Sequence, residues 1–270
     1  MPIVKGTIRY VVLALIVVVF FFPIYWMLIT TMKPQEQVLN YPPLFYPPQL
    51  TLRYFVEALG MRGAEGLINS LVVASTVTLV SLLLGTLAGY GFARFRIGGF
   101  HLPFWILSTR MMPAVAAIIP LFLLMKEVQL IDTYGAVILA HLVITLPFAV
   151  WMMRGFFMEL PHELEEAAQI DGCSKWQAFT RIALPLTAPA IAITALFCFI
   201  FSWNEFVFAL VLTRRAAITM PVVVAGLHSI KGVLWPQMTA ISAMGLLPIL
   251  AIALVAQKYL VRGMTMGAIK

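Results

Sequence analysis

Length, composition and charge place the chain in one broad class. Its 270 residues are 62% hydrophobic and only 11% charged, whereas soluble domains average about 25% charged residues. This composition excludes an ordinary soluble domain and predicts an integral membrane protein. The net charge of +7 does not indicate nucleic-acid binding, because the basic residues stand singly between apolar runs and fit the flanks of membrane helices.

Six uncharged or nearly uncharged runs follow one another along the chain. The first begins after Lys5 and Arg9, is longer than the apolar core of a secretory signal and lacks a small-residue cleavage site, so we expect it to be retained. Each run approaches the roughly twenty residues that a helix needs to cross a bilayer. We therefore predict an all-α, polytopic membrane protein that forms a single domain over residues 1–270, with transmembrane helices at 10–32, 67–93, 101–125, 133–153, 187–212 and 239–260.

Two long connections separate some of these runs. The connection 33–66 contains Tyr41-Pro42-Pro43 and Tyr46-Pro47-Pro48, which favours an extended, turn-rich loop. The connection 213–238 is semi-apolar. Within the second span, Gly85, Ala88 and Gly91 recur at three-residue steps and predict a face that a neighbouring helix can approach closely.

The coupling loop 154–186 is a polar elbow in an otherwise apolar chain. Five of the eleven acidic residues fall between Glu159 and Asp171. Pro161 suits the start of a helix, and Gly172 suits its left-handed end. Ser174 and Gln177 form a capping-box pattern that starts a second helix, and Pro185 is expected to end it. The elbow is thus a helix–turn–helix.

The elbow resembles a known family at several fixed positions. Glu166-Ala167-Ala168, then Gly172, then Ile182-x-Leu184-Pro185 is similar to the EAA loop of the membrane subunits of bacterial ABC importers. The resemblance implies that the first elbow helix docks on a cytoplasmic ATPase subunit. An amphipathic surface elbow without a partner is the alternative. The residues expected to couple to the ATPase are Leu164, Glu165, Glu166, Ala167, Ala168, Asp171 and Gly172.

Other motifs narrow the resemblance to the carbohydrate-type branch, and to the smaller membrane subunit of maltose-type importers. They are Asn69-Ser70, Arg110-Met111-x-Pro113, Trp203-Asn204-Glu205-Phe206 and the tail from Gln257 to Lys270. The resemblance implies a multi-pass subunit of the bacterial inner membrane, in a heterodimer with a second permease subunit. It also implies two cytoplasmic ATP-binding subunits, which would bind ATP and Mg²⁺, and an external solute-binding protein. No cofactor is expected in this chain.

The basic residues predict the orientation of the helices. Six spans put both termini on one side, and that side carries the larger set of basic residues, close to the span ends. We therefore expect the termini and the elbow in the cytoplasm. The set on the side of the termini is Lys5, Arg9, Arg94, Arg96, Arg154, Lys175, Arg181, Lys258, Arg262 and Lys270. The set on the other side is Lys33, Arg53, Arg62, Lys126, Arg214, Arg215 and Lys231.

Four residues inside apolar runs are candidates for facing a pore or a solute: Arg110, Trp203, Asn204 and Glu205. A carboxylate at such a depth should face protein or water. For Glu205 a solute contact and a subunit interface are equally supported. For Arg110, a side chain that reaches the cytoplasmic headgroups or a structural contact with the carbonyls of another helix is favoured over a pore role. We expect His141 to be a satisfied interior histidine.

The chain lacks the phosphate-binding loop of an ATPase and any catalytic or metal-ligand grouping. We therefore predict a non-catalytic permease subunit of an ATP-driven importer, with hydrolysis by a separate subunit. The alternative is an ion-gradient-driven secondary transporter, which would need more buried acidic residues than Glu205. An intramembrane enzyme is disfavoured. The resemblance points to sugars, polyols or glycerol phosphates without distinguishing them.

Overall fold

The computed structural model describes residues 2–47, 49–95, 97–229 and 232–266, and helices dominate them. Its elements fall into two units, Met1–Glu65 with Val223–Leu247 and Gly66–Val222 with Pro248–Lys270. A short antiparallel hairpin pairs β1 (His228–Ser229) with β2 (Gly232–Val233). The helices are α1 (Pro2–Thr31), α2 (Arg53–Ala58), α3 (Ala64–Arg94), α4 (His101–Ser108), α5 (Ala114–Glu127), α6 (Tyr134–Glu159), α7 (His162–Ile170), α8 (Lys175–Ala178), α9 (Leu184–Leu186), α10 (Ala188–Trp203), α11 (Val207–Leu212), α12 (Met220–Gly226) and α13 (Trp235–Met266).

Four helical segments in the described residues are long and apolar enough to cross a membrane: Ile8–Thr31, Arg53–Arg94, Tyr134–Glu159 and Trp235–Gln257. Two further pairs of helices meet the same criteria only when each pair is taken together. The segment His101–Met111 meets α5 at 92°, and the segment Lys175–Leu186 meets α10 at 72°. The described chain therefore has four candidate spans, or up to six if each bent pair counts as one.

Two of the predicted spans are interrupted rather than continuous. In the third, Met112 is extended (φ −67°, ψ 128°), because Pro113 disfavours the helical conformation in the residue before it. In the fifth, α10 ends at Trp203 and α11 begins at Val207. Arg110 and the pair Asn204-Glu205 stand near these positions, but the apolar runs on both sides of each do not show that the helix breaks there.

The first unit joins the two long connections. The segment predicted as loop up to Gly66 contains α2, a kink at Met61 and Arg62, and the start of α3. Gln35 Nε2 donates to the Val233 carbonyl at 2.8 Å, and Gln237 Nε2 donates to Glu57 Oε2 at 2.9 Å. The two long connections therefore contact each other within this unit. Arg96, Lys231 and Lys270, which entered the charge comparison, lie outside the described residues.

In the second unit, α3 and α6 pack closely through two glycines. A Cβ at Gly85 would lie 2.6 Å from Ala149 Cβ, and one at Gly89 would lie 2.7 Å from the Arg154 backbone N. At Gly91 the nearest atom would be Ile97 Cδ1, at 3.6 Å. The close face therefore runs through positions 85 and 89, one helical turn apart, rather than along the three-residue steps that the sequence predicted.

Asp132, between α5 and α6, fastens the segment that follows α11. Its carboxylate accepts the backbone N–H groups of residues 214–217 at 2.9–3.2 Å, and its own N–H donates to the Leu212 carbonyl at 2.8 Å. Burial by itself would raise the pKa of Asp132, but these backbone donors outweigh it and lower the pKa from 3.8 to about 2.

The close packing of α3 on α6 is tested by Gly89→Ala. The added methyl group must displace the α6 backbone, so we expect a loss of about 1–3 kcal/mol in stability. Gly91→Ala is the matched control, because its methyl group has ordinary room and alanine favours a helix by roughly 1 kcal/mol over glycine. Thermal unfolding of the two variants in detergent provides the measurement. Equal unfolding temperatures would contradict the close approach at Gly89.

The Asp132 contacts are tested by Asp132→Asn over a range of pH. Because the folded-state pKa is depressed, the contribution to stability is present above pH 3.8 and is lost as the pH falls through about 2. We expect the variant to be roughly 1–2 kcal/mol less stable at pH 7 after allowance for solvent screening, and the gap to close near pH 2. Glu127→Gln, at an exposed carboxylate, should show no such pH-dependent gap.

Candidate functional site: the elbow and the interrupted spans

Local sequence signals build the first arm of the elbow. Pro161 directly precedes α7, and Glu163 and Glu165 lie in the first turn, where carboxylates complement the helix dipole. The helix ends in a Schellman motif: the N–H of Cys173 donates to the Ala168 carbonyl at 2.9 Å, and the N–H of Gly172 donates to the Gln169 carbonyl at 3.1 Å. Gly172 has a φ of +92°, which explains the glycine at the corner.

The second arm begins at the predicted capping box. Gln177 N–H donates to Ser174 Oγ at 3.2 Å, and Ser174 N–H donates to Gln177 Oε1 at 2.8 Å. This arm ends at Leu186, one residue after Pro185 and at the predicted end of the coupling loop, and the chain bends by 72° into α10. A wide turn at Phe179–Ala183 precedes the proline, and such a turn accommodates a ring that a regular helix would exclude.

The predicted ATPase-coupling residues divide between two faces of α7. Leu164, Glu166, Ala167, Asp171 and Gly172 are exposed, whereas Glu165 and Ala168 are buried. Ala168, one of the predicted coupling residues, is therefore buried against the chain itself.

Sequence reasoning missed two exposed apolar side chains in the elbow. Ile170 is 86% exposed and Trp176 is 63% exposed. The available signal was their apolar character in a segment that is otherwise polar, since exposed apolar residues gathered in one place mark interaction surfaces. Together with the exposed coupling residues they form what we call the elbow face: Leu164, Glu166, Ala167, Ile170, Asp171, Gly172 and Trp176.

The buried side of α7 is fixed by charge. Glu165 Oε1 accepts from Arg94 Nε at 2.6 Å, and Oε2 accepts from the Tyr90 hydroxyl at 2.5 Å. Arg94 also donates to the Phe157 and Leu160 carbonyls, at 2.7 and 3.0 Å. The predicted coupling residue Glu165 is therefore not part of the elbow face.

Glu205 lies at the break between α10 and α11. Its two carboxylate oxygens accept the backbone N–H groups of Phe208 and Ala209 at 2.9 and 3.1 Å. Oε2 also lies 3.0 Å from His141 Nε2, and His141 Nδ1 lies 2.8 Å from Ser202 Oγ. The carboxylate thus satisfies N–H groups at the start of α11 that have no partner within the helix, in a medium where water is scarce.

The neighbours of Glu205 differ in exposure. Trp203 is buried and its ring stacks on Phe199 at a centroid distance of 5.4 Å. Asn204 is exposed, and its Nδ2 donates to the Ile200 carbonyl at 2.9 Å. Of the predicted Trp-Asn-Glu group, only Asn204 presents its side chain at the surface of this chain.

Arg110 occupies the turn before the break in the third span. Its guanidinium lies over the rings of Phe148 and Phe201, 4.9 and 4.3 Å from their centroids. Within the described residues, no carboxylate pairs with it. Stacking on aromatic faces stabilises an arginine that has left bulk water, so the two rings account for its position inside an apolar run.

Among the described residues, no group of three or more histidine, cysteine or carboxylate side chains could hold a metal ion.

The chain shares its fold with a solved transporter structure. The chain matches the crystal structure of a bacterial ABC transporter involved in the import of the acidic polysaccharide alginate, with a TM-score of 0.74 over 95% of this chain and 96% of that chain, at 23% identity. At that identity the likeness shows the fold alone, which this chain shares with the matched chain of that transporter.

The sequence comparisons define the family. The model for the binding-protein-dependent transport system inner membrane component matches residues 81–266. The trehalose/maltose transport system permease protein MalG of Thermococcus litoralis is 34% identical, over 95% of this chain and 94% of its own. The trehalose transport system permease protein SugB of Mycobacterium tuberculosis is 32% identical, over 92% of each.

The chain therefore belongs to the family of binding-protein-dependent transport system inner membrane components. It is a multi-pass ABC transporter permease of the inner membrane. The predicted resemblance to carbohydrate-type permeases is confirmed, and an ion-gradient-driven transporter is not favoured.

The structural role of Glu205 is tested by Glu205→Gln. An amide has one acceptor oxygen, so one N–H at the start of α11 loses its partner, and we expect a loss of about 1–3 kcal/mol in stability. The measurement is thermal unfolding in detergent. Asn204→Ala, which changes the exposed neighbour, should unfold close to the parent. A Glu205→Gln variant that unfolds like the parent but takes up solute poorly would instead favour a solute contact.

Proposed function

We propose that this chain forms half of the translocation pathway of an ATP-driven importer for sugars or related polyols, and that it receives ATPase movement through the elbow. The elbow face carries this proposal. It combines a small residue, Ala167, which permits close approach, with the exposed apolar side chains of Ile170 and Trp176 and the carboxylate of Glu166. A surface with these properties suits a protein partner.

The partners follow from the family. A second permease subunit would complete the pathway as a heterodimer, two cytoplasmic subunits would bind and hydrolyse ATP with Mg²⁺, and an external protein would deliver the solute. In this arrangement the chain itself is non-catalytic. The sugar class is supported by relatives whose names specify trehalose and maltose.

We infer six spans with both termini in the cytoplasm, and contacts within the second unit agree with the way in which six spans group the connections by side. In that arrangement the connection after α5 and the segment after α11 both lie outside, and Asp132 joins them. The end of α3 and the elbow both lie inside, and Arg94 joins α3 to Leu160 and Glu165. Each contact therefore connects segments that the orientation assigns to the same side of the membrane.

ATP binding would draw the two ATPase subunits together and displace the elbow face docked on them. A docked helix can transmit this movement only if its contacts differ between two states of the complex. Because both arms of the elbow lead directly into membrane helices, α6 on one side and α10 on the other, a displacement of the elbow is well placed to switch the pathway between inward and outward openings.

The docking proposal is tested by Ala167→Arg. A bulky charge in the middle of the elbow face should clash with the ATPase surface. We expect the affinity of the ATPase for the permease to fall at least about tenfold, or roughly 1.4 kcal/mol. Copurification of the ATPase with the tagged permease in detergent gives the readout. Gln169→Arg is the matched control, because it adds the same side chain to an exposed position on the opposite side of α7. Unchanged copurification of the Ala167→Arg variant would contradict the proposal.

A further inference from the structure

The buried cluster of Tyr90, Arg94 and Glu165 lies directly behind the elbow face. We propose that this cluster, the elbow joint, transmits movement of the elbow to α3 and to the end of α6. The inference rests on the proposed function and adds to it the residues that carry the movement past the docking surface.

A single guanidinium connects three parts of the chain. Arg94 is the last residue of α3, and it donates from Nε to Glu165 of α7, from Nη1 to the carbonyl of Phe157 in α6, and from Nη2 to the carbonyl of Leu160, directly after α6. A planar guanidinium fixes the directions of its donors. The three elements are therefore held in one relative orientation.

Tyr90 extends the elbow joint to the second arm of the elbow. Its hydroxyl donates to Glu165 Oε2, and its ring lies 4.5 Å from the ring of Phe179 and 5.3 Å from that of Phe157. Phe179 opens the wide turn that follows α8. Both arms of the elbow thus meet the end of α3 at one aromatic residue.

The elbow joint differs from an ordinary surface ion pair because its charged side chains are buried. The side chains of Arg94 and Glu165 are 4% and 6% exposed, so solvent screens their interaction little. A buried ion pair is weak evidence for stability, because desolvation offsets much of the attraction. Its directional hydrogen bonds do resist the sliding that apolar contacts alone would permit. Holding the elbow at a fixed angle to α3 is the property that transmission requires.

Transmission and docking predict different outcomes when the elbow joint is weakened. Glu165→Gln keeps the size of the side chain but removes its charge, and Arg94→Met removes the donors. Neither substitution alters the elbow face, so we expect the ATPase to copurify as it does with the parent. Movement of the ATPase should then reach the pathway less often. The ratio of ATP molecules hydrolysed to solute molecules transported should therefore rise about fivefold or more.

The measurement uses the full complex, with its partner subunits and binding protein, reconstituted in vesicles. The parent complex is first screened with labelled trehalose, maltose and glycerol, and the solute that it takes up serves as the probe. Glu159→Gln is the matched control, because it removes an exposed carboxylate from the adjoining end of α6 and should keep the parent ratio. In the double variant that combines Glu165→Gln with Arg94→Met, the ATP hydrolysed per solute transported should be no higher than in the more damaged single variant. The reason is that two paired groups act as one unit.

Tyr90→Phe keeps the test decisive if Arg94→Met does not assemble. It preserves the aromatic packing and removes only the hydroxyl group that donates to Glu165, so the ratio should rise in the same direction by a smaller factor. Parent-like ratios in both Glu165→Gln and Tyr90→Phe would overturn the elbow joint. Loss of the ATPase from these two variants would also overturn it, because the cluster would then serve docking.

The outcomes separate this inference from the proposed function. If Ala167→Arg releases the ATPase while Glu165→Gln keeps the parent ratio, docking at the elbow face stands and the elbow joint fails. If Ala167→Arg leaves the ATPase bound and uptake unchanged, the proposed function itself fails.

Discussion

The structure depends on satisfying polar groups where water is scarce. A membrane span that breaks must supply partners for the backbone groups that the break releases. At the break in the fifth span, Glu205 supplies them for α11. The cation at the break in the third span, Arg110, lies over two aromatic rings. Threonines inside the spans, among them Thr78 and Thr194, donate to the carbonyl four residues before them.

Two charged side chains perform matching tasks in different connections of the second unit. Asp132 is an anion that collects backbone N–H groups from the segment after α11. Arg94 is a cation that collects backbone carbonyls from the end of α6. Each joins segments far apart in sequence through main-chain groups that irregular structure leaves unpaired. A chain with few charged residues therefore uses individual charges to fasten the connections between its membrane helices.

In the proposed function, the elbow would separate docking from transmission on two faces of one short helix. The outward residues Leu164, Ala167 and Asp171 are free to meet a partner, while Glu165 and Ala168 face the chain itself. Recognition and transmission can then be altered independently, because the atoms that would touch the ATPase are not those that hold the angle of the helix. The Schellman motif and the capping box fix the corner between the arms, so the elbow can move as a unit.

The sequence by itself determined the membrane class, the elbow with its glycine corner and capping box, and the family resemblance. The membrane class can be assigned from hydropathy, which needs only the residues of each run. The ends of the elbow helices can be assigned because they depend on residues within one turn of each other. The tertiary structure decided which of two adjacent carboxylates, Glu165 or Glu166, turns inward, and that Gly89 rather than Gly91 meets α6. Sequence spacing cannot decide these points, because Arg94 lies 71 residues from Glu165 and burial depends on contacts at that distance.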